Sequence, residues 1–311
     1  MRCPLISALS LTLLLAAGAA AGEKLTIVPA WQAGDAGRFS SETVVRQQVR
    51  ARGDTPAGEQ RLRQVRQGVF EVLAATDGRP TSVRVTFSRA CANEAGGKAA
   101  PAPLAGRTVT LTRGADGQLV AAPAEAAPAA LLPELVPFLD LGAAWLPPQP
   151  VAPGDTWTVT RDRLVGHLLL QDGEQAEGRC QFLRRRTVDG RERAQIGVAA
   201  TVLRRPSAQL ELVMELTGSL ETDVAKGGTV STTLTGRLHL RAGAAAGGAT
   251  DGTGAASADG SGARTLTGSG EMISKAEVTL LDAAALAKVL AALAVEPAPA
   301  NSEDKPAPAP R

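Results

Sequence analysis

The chain has 311 residues, and its 33 Lys and Arg nearly balance its 31 Asp and Glu. Such a balance gives no electrostatic support for nucleic acid or an anionic membrane as a partner. With no tyrosine, three tryptophans and five phenylalanines, the chain also offers few aromatic side chains on which sugars or single-stranded bases could stack.

Residues 1–21 are predicted to be a secretory signal peptide. Arg2 precedes an apolar run from Leu5 to Ala17, and the small residues Ala19 to Ala21 suit cleavage after Ala21. Cys3 lies before this run rather than at its end, so we expect no lipid attachment. Neither this run nor any other is long enough for a membrane span. We therefore expect a soluble, exported chain that is periplasmic or extracellular.

Residues 22–295 are predicted to form a single β-rich domain in two halves. In the first half, Val83, Val85 and Phe87 alternate with polar residues, which is typical of a strand with one buried face. The alternation is impure around Gly68, which predicts a bulge or a bend.

Helical spacing occurs at two places. The first is residues 129–140, where Pro133 and Pro137 shorten the predicted helix. We expect this piece to plug one end of the sheet, and a lid over a cavity is the alternative. The second is residues 283–294, with Asp282 as the predicted N-cap. The apolar stripe of this C-terminal helix, which should dock against the sheet, is formed by Leu286, Val289, Leu290 and Leu293.

Alternation with period two is strongest in the second half, where three strands each have one apolar face. These faces are formed by Ala194, Ile196, Val198, Ala200 and Val202, by Leu210, Leu212, Met214 and Leu216, and by Val230, Leu234, Leu238 and Leu240. One dry and one wet face is typical of antiparallel sheet. Residues 242–263 and 296–311 contain little apolar bulk beyond alanine, which predicts a disordered loop and a disordered tail.

A proline-rich crossover, residues 145–157, joins the two halves. Its four prolines exclude a helix or a central strand. We expect the flanking Trp145 and Trp157 to anchor it in the core, and docking of a partner on the proline arm is the alternative. Pro153-Gly154-Asp155 predicts a turn before the next strand.

The crossover resembles the PxxPVxxGDxW signature of secreted bacterial β-proteins of the DUF6263 type. The residues that fit it are Pro147, Pro150, Val151, Gly154, Asp155 and Trp157. The resemblance covers about a dozen residues in motif, with a similar layout over roughly residues 30 to 282. It implies an all-β fold like the half-open barrels of lipoprotein carriers, and it transfers no catalytic residue.

Two cysteines follow the predicted signal peptide, Cys91 and Cys180. Cys91 is predicted on the apolar strand face of Val83, Val85 and Phe87, and Cys180 is in phase with Phe182. An exported chain permits a disulfide. The two residues could therefore bridge the halves or remain buried thiols, and both alternatives stay open.

Residues suited to catalysis or metal binding are sparse. His167 and His239 are the only histidines, and they lack metal-ligand spacing. The strand acids mostly fall on outward positions, where solvated carboxylates are expected: Glu71, Glu211, Glu215, Glu221 and Glu277. We therefore expect no enzyme, no cofactor and no metal site.

The combined prediction is an all-β protein with minor α. We expect a long-stranded antiparallel meander, as a curved sheet or a half-open or closed barrel, with a short mid-chain helix and a C-terminal helix. The leading hypothesis is a non-enzymatic exported protein that binds a lipid-like ligand or a protein segment on the concave face. The alternative is a structural or assembly protein of the cell envelope without a small ligand.

Overall fold

The computed structural model describes residues 23–51, 59–93, 100–114, 119–123, 132–168, 170–207, 210–242 and 266–295. The predicted signal peptide, the predicted tail and residues 243–263 of the predicted loop lie outside these ranges. A membrane-spanning helix is absent from the described residues, since none of the helices there combines the required length with enough hydropathy.

Within the described ranges, the chain forms one antiparallel sheet. Its strands are β1 Ala36–Ala51, β2 Glu59–Thr76, β3 Arg79–Asn93, β4 Ala100–Pro101, β5 Thr108–Arg113, β6 Leu119–Ala122, β7 Thr156–Val159, β8 Gln175–Val188, β9 Arg191–Ser207, β10 Leu210–Asp223, β11 Gly228–Ala242 and β12 Leu266–Leu281.

The strand order across the sheet is β6-β5-β3-β2-β1-β12-β11-β10-β9-β8-β7, and β4 pairs beside β3. The first strand pairs with the last along its whole length, from Ala36 opposite Leu281 to Ala51 opposite Leu266. This pairing makes the two halves one continuous sheet. The all-β antiparallel prediction is confirmed, and the sheet is open, because β6 and β7 end the described order without pairing to each other.

Four α-helices and a 3-10 helix complete the described fold. They are α1 Leu132–Leu135, α2 Pro137–Asp140, the 3-10 helix Ala143–Trp145, α3 Arg161–Leu168 and α4 Ala283–Val295. The predicted mid-chain helix is divided because Pro137 begins a new helix at the end of α1. The predicted C-terminal helix is confirmed as α4, and Asp282 Oδ1 accepts the Ala285 N–H at 2.7 Å as its cap.

One face of the sheet, called the inner face here, bears two hydrophobic clusters. The first contains Phe182, Ile196 and Trp157 from the β7–β10 side. The second contains Phe70, Phe87 and other residues from the β1–β5 side. The apolar alternation predicted for β9 is confirmed, because Ala194, Ile196, Val198, Ala200 and Val202 are all buried.

An N-terminal strap, residues 23–35, connects the two clusters. Leu25 is buried in the first cluster and forms an antiparallel bridge with Val151 of the crossover. Trp31 is buried in the second, where its ring meets Phe70 edge-to-face at 5.9 Å. At the strap's end, Lys226 Nζ lies 2.7 Å from an oxygen of Asp35. The strap therefore ties both halves of the sheet together.

Helix α4 covers part of the opposite, outer face. Its Leu286 is buried with Ala36 of β1 and Val69 of β2, and Val289 and Leu293 pack beside them. Ala36 and Val69 point away from the inner face because side chains alternate along a strand. The C-terminal helix thus docks against the sheet, as the apolar stripe predicts, and it does so on the outer side.

The irregularity predicted around Gly68 is a β-bulge. Gly68 pairs with Phe87 but Gln67 pairs with Arg89, so Ser88 is the extra residue. One extra residue moves every following side chain of the strand to the opposite face of the sheet. Ala90 is therefore buried, and Cys91 belongs to the outer face. The prediction that Cys91 shares the face of Phe87 is wrong for this reason.

Glycine at position 68 is required by close backbone approach. A Cβ there would lie 2.1 Å from the Thr86 carbonyl oxygen and 2.9 Å from the Phe39 ring. We expect Gly68→Ala to lower the free energy of unfolding by about 1–3 kcal/mol, as overpacked cores do. Urea denaturation followed by tryptophan fluorescence measures the change.

The matched control is Gly197→Ala in β9, where the nearest atom to a Cβ is a flexible Leu183 carbon at 3.5 Å. We expect this change to alter the free energy of unfolding by no more than about 0.5 kcal/mol. Equal losses in the two variants would contradict the close-approach explanation.

Candidate functional site

Trp145 and Trp157 hold the crossover against the inner face. Both are buried in the first cluster. The Trp157 Nε1–H donates to the carbonyl oxygen of Trp145 at 3.1 Å. The Trp145 ring lies over Gly178 of β8, where a Cβ would come within 3.0 Å of the ring. The two tryptophans therefore anchor the chain between α2 and β7.

The rest of the motif forms the turn that starts β7. The Ala152 N–H donates to Asp155 Oδ2 at 2.9 Å, and the Asp155 N–H donates to the Ala152 carbonyl at 3.0 Å. Gly154 has a φ of +97°, which favours glycine. Pro150 is exposed. These four residues shape the backbone, and none of them reaches a cavity on the inner face through a polar group.

His167 of α3 connects the helices that cover the first cluster. Its Nε2 accepts the Trp145 Nε1–H at 3.2 Å, so the proton of the neutral ring belongs on Nδ1. Nδ1 lies 2.7 Å from Asp140 Oδ2. Nδ1 has no hydrogen-bond partner of suitable geometry, so its contact with Asp140 is a short electrostatic one. Sequence reasoning assigned His167 no such role.

The carboxylate of Asp140 is stabilised in its ionised form. Burial acts to raise the pKa of this carboxyl. The charge of His167 and the hydrogen-bonding groups of His167 and Ala144 act to lower it, and the net effect is a lowered pKa. The Ala144 N–H donates to Asp140 Oδ2 at 3.3 Å. The contacts from Asp140 through His167 end at the indole N–H of Trp145. They hold the helices in position, and an indole N–H is not a nucleophile.

Arg163 fixes the same helices from the other side. Its Nη2 donates to the carbonyl oxygens of Leu146 at 2.8 Å and Ala143 at 3.2 Å. The Leu146 carbonyl at the end of the 3-10 helix gains its partner in this way, and the Ala143 carbonyl, which already accepts the Leu146 N–H, gains a second. We call α2, the 3-10 helix and α3 the plug, because Asp140, Trp145, His167 and Arg163 join them into one unit on the inner face.

Both cysteines are free thiols. Cys91 is in β3 and Cys180 in β8, and β2, β1, β12, β11, β10 and β9 lie between these strands. The bulge at Ser88 also places the two side chains on opposite faces of the sheet. A disulfide between them is therefore not formed. Burial raises the pKa of Cys180 to about 12, so this thiol is a poor nucleophile.

The strand acids are separated from one another. Three of them make ion pairs with arginines of other strands: Glu71 with Arg84, Glu211 with Arg205, and Glu221 with Arg186 and Arg193. Glu215, Glu277 and His239 are exposed. Across the described ranges, no group of three His, Cys, Asp or Glu side chains could hold a metal ion.

Within the described residues, an apolar floor without a helix over it continues the inner face beyond the plug. We call it the open trough, and its residues are Val45, Leu62, Leu212, Met214, Leu238, Leu240 and Met272. Leu238 is 7% exposed, and the others are half-buried. Register makes them neighbours: Leu212 is opposite Leu240, and Met214 is opposite Leu238.

The plug leaves this floor open because it lies elsewhere. The main helix contacts on the inner side are those of α2 with β3 and of α3 with β8. On β12, Gly268 lies opposite Leu240 of β11, and Gly270 lies opposite Leu238. Because glycine has no side chain, the middle of the trough is lower than its apolar border on β10 and β11.

The other border of the trough is polar. Gln47 is opposite Gly270, and Gln64 is opposite Thr43 on the neighbouring strand. The Thr43 hydroxyl lies 3.0 Å from the Ser274 hydroxyl, and Arg66 donates to Gln64 Oε1 at 3.2 Å. The trough therefore has an apolar side on β10–β12 and a side of amides and hydroxyls on β1 and β2.

Comparison with protein-family models and with curated proteins finds no match to the chain. The site must then be understood from its own residues. These are the apolar floor of the open trough, its polar border, and the plug that closes the remainder of the inner face.

The lowered pKa of Asp140 predicts a component of stability that depends on pH. A carboxyl whose pKa is lower in the folded state stabilises the fold above its unfolded pKa, near 3.8, and loses that effect as the pH falls further. We expect Asp140→Asn to cost about 1–3 kcal/mol at pH 7. The difference from the wild type should shrink between pH 5 and pH 3.

Urea midpoints of both proteins across this pH range measure the effect. Asp162→Asn is the control, because Asp162 is an exposed carboxylate on the same helix as His167. A difference between wild type and Asp140→Asn that stays constant down to pH 3 would contradict the assigned role of the carboxylate.

The two cysteines are predicted to differ in reactivity. In the folded protein, iodoacetamide should modify half-buried Cys91 while fully buried Cys180 stays unmodified, and in urea both should react. Peptide mass mapping after timed alkylation measures each thiol separately. A non-reduced peptide that joins Cys91 to Cys180 would contradict the fold, since the two strands cannot approach each other.

Proposed function

We propose that the chain is an exported, non-enzymatic binding protein that holds a lipid-like ligand on the inner face of its sheet. The observation that carries the proposal is the open trough. Its apolar side chains adjoin a sealed core, and all of them except Leu238 are half-buried. Among the described helices, none contacts β10 or β11 as extensively as α2 contacts β3 and α3 contacts β8. Contiguous apolar surface of this kind is where apolar ligands and partners bind.

The two borders of the trough define the ligand class. An acyl or similar apolar chain would cover Leu212, Met214, Leu238 and Leu240. A headgroup would then meet the amides of Gln47 and Gln64 and the Arg66 guanidinium that donates to Gln64, all of which form hydrogen bonds. An amphiphile with a hydrogen-bonding headgroup matches this distribution.

The plug supports the proposal through preorganisation. The contacts from Asp140 through His167 to Trp145, and those of Arg163, keep the helices over the first cluster. Helices held in this way do not move to cover the floor of the open trough. A binding surface that exists before the ligand arrives saves the cost of ordering it.

Export is the part of the proposal that rests on sequence. Residues 1–21 have the charged start, apolar run and small cleavage residues of a signal peptide. The motif between Pro147 and Trp157 resembles that of secreted β-proteins of the DUF6263 type, and this resemblance implies a carrier-like fold. Both agree with a protein that handles an apolar ligand outside the cytoplasm.

A structural or assembly role in the envelope is the second candidate, and the exposed edge of the sheet favours it. Val120 on the edge strand β6 is 58% exposed. Unpaired edge strands can accept a strand from another protein. In that case, cross-linking through β6 would capture one specific protein, and no lipid would be recovered.

The test is extraction of purified protein with organic solvent, followed by mass spectrometry and by titration with an apolar fluorescent dye. We expect a co-purified amphiphile, dye uptake, and displacement of the dye by the extract. Met272→Glu should weaken dye binding by about tenfold or more, because a carboxylate on the floor must be desolvated by the ligand.

Ile273→Glu is the matched control, since Ile273 is the next residue along β12 and is 45% exposed on the outer face. This change should leave the dye affinity within about twofold of wild type. Recovery of no amphiphile together with no dye uptake would overturn the proposal. Equal weakening by both variants, with folding intact by circular dichroism, would place the binding outside the trough.

A further inference from the structure

A second cavity lies on the outer face, between α4 and strands β1 to β3. Its volume is about 820 Å³, within the range of small-molecule sites. The sheet separates it from the open trough. The side chains that matter for its chemistry are Arg38, Arg89, Lys288, Val69, Val289 and Leu293.

The charge of this cavity is one-sided. Arg38, Arg89 and Lys288 all line it, and none of its other described lining residues is a carboxylate. None of the three makes a hydrogen bond or an ion pair with its side chain among the described residues. Two other outer-face arginines are neutralised across strands, Arg63 by Glu42 and Arg84 by Glu71.

The base of the cavity is apolar. Val69 is 2% exposed, and Val289 and Leu293 of α4 pack beside it. Thr86 and Ser88 contribute the neighbouring strand surface. An apolar base beneath three cationic side chains suits a molecule with an apolar body and an anionic end, because each part meets its complement.

We infer that this groove is a binding site for a single-chain anionic amphiphile, with the carboxylate of a long-chain fatty acid as the simplest occupant. The carboxylate lies among Arg38, Arg89 and Lys288, and the first part of the acyl chain lies on Val69, Val289 and Leu293. This site goes beyond the function proposed for the inner face. It uses other residues, the opposite face and a charged headgroup.

The test measures binding of cis-parinaric acid, a fluorescent fatty acid, and of its uncharged methyl ester to the full chain. The triple variant Arg38→Gln, Arg89→Gln, Lys288→Gln should weaken binding of the acid by about tenfold and leave the ester unchanged. Binding of the acid to wild type should also weaken with added salt.

The matched control removes three positive charges from the other end of the outer face, as Arg46→Gln, Arg237→Gln, Arg241→Gln. All three positions are exposed, and we expect less than about a twofold loss. Ala292→Trp fills the groove without changing its charge and should weaken binding of both acid and ester at this site. A photoreactive fatty acid should label the α4 peptide around Lys288.

Results of three kinds would overturn the inference. The first is equal loss of acid binding in the two triple variants. The second is acid binding that Met272→Glu removes and the groove variants do not, with label on β11 or β12, which would assign the acid to the open trough. The third is absence of acid binding together with a dimer that the groove triple dissociates, which would assign the groove to a second copy of the chain.

Discussion

The inner face depends on the position of Trp145, because this residue connects the crossover, α3 and β8. Its carbonyl accepts the indole N–H of Trp157, its own N–H donates to His167, and its ring lies on Gly178. Buried tryptophans need a partner for the N–H, so each of these contacts restricts the others. The crossover, α3 and β8 are thereby fixed in one arrangement, and the first hydrophobic cluster is closed.

The open trough exists because the strands are much longer than the helices that pack on the inner face. Strands β1, β10, β11 and β12 have 16, 14, 15 and 16 residues, so each extends about 46–53 Å at about 3.3 Å per residue. The longest helix on the inner side, α3, has eight residues and spans about 12 Å at about 1.5 Å per residue. Helices this short seal the end of the sheet where they lie, and within the described residues the far end has no helix over it.

Period-two alternation was sufficient to predict the strands and their buried faces, as β9 shows from Ala194 to Val202. It failed for Cys91, because one bulged residue at Ser88 exchanges the faces beyond it. The impure alternation indicated an irregularity at Gly68 of β2, and it did not show that the extra residue lies on β3. Helix α3 was missed because it is short and only Leu164 in it is fully buried.

The candidate sites were less accessible to sequence reasoning than the fold, because register brings their residues together. Met272 and Val45 are far apart in the chain but opposite each other in the sheet. The same holds for Arg38, Arg89 and Lys288, which come from β1, β3 and α4. The contact between Asp140 and His167 likewise depends on how two short helices pack, and local spacing does not encode that.

The outer groove has its own origin in the composition of α4. This helix reads AAALAKVLAALAV, so most of its side chains are methyl groups. Its larger residues, such as Leu286 and Val289, pack against Ala36 and Val69. Methyl groups cannot reach across to β3, and the space beside the helix stays unfilled. An alanine-rich helix on an arginine-bearing strand face therefore leaves an apolar groove bordered by Arg38, Arg89 and Lys288, which make no ion pair with the described residues.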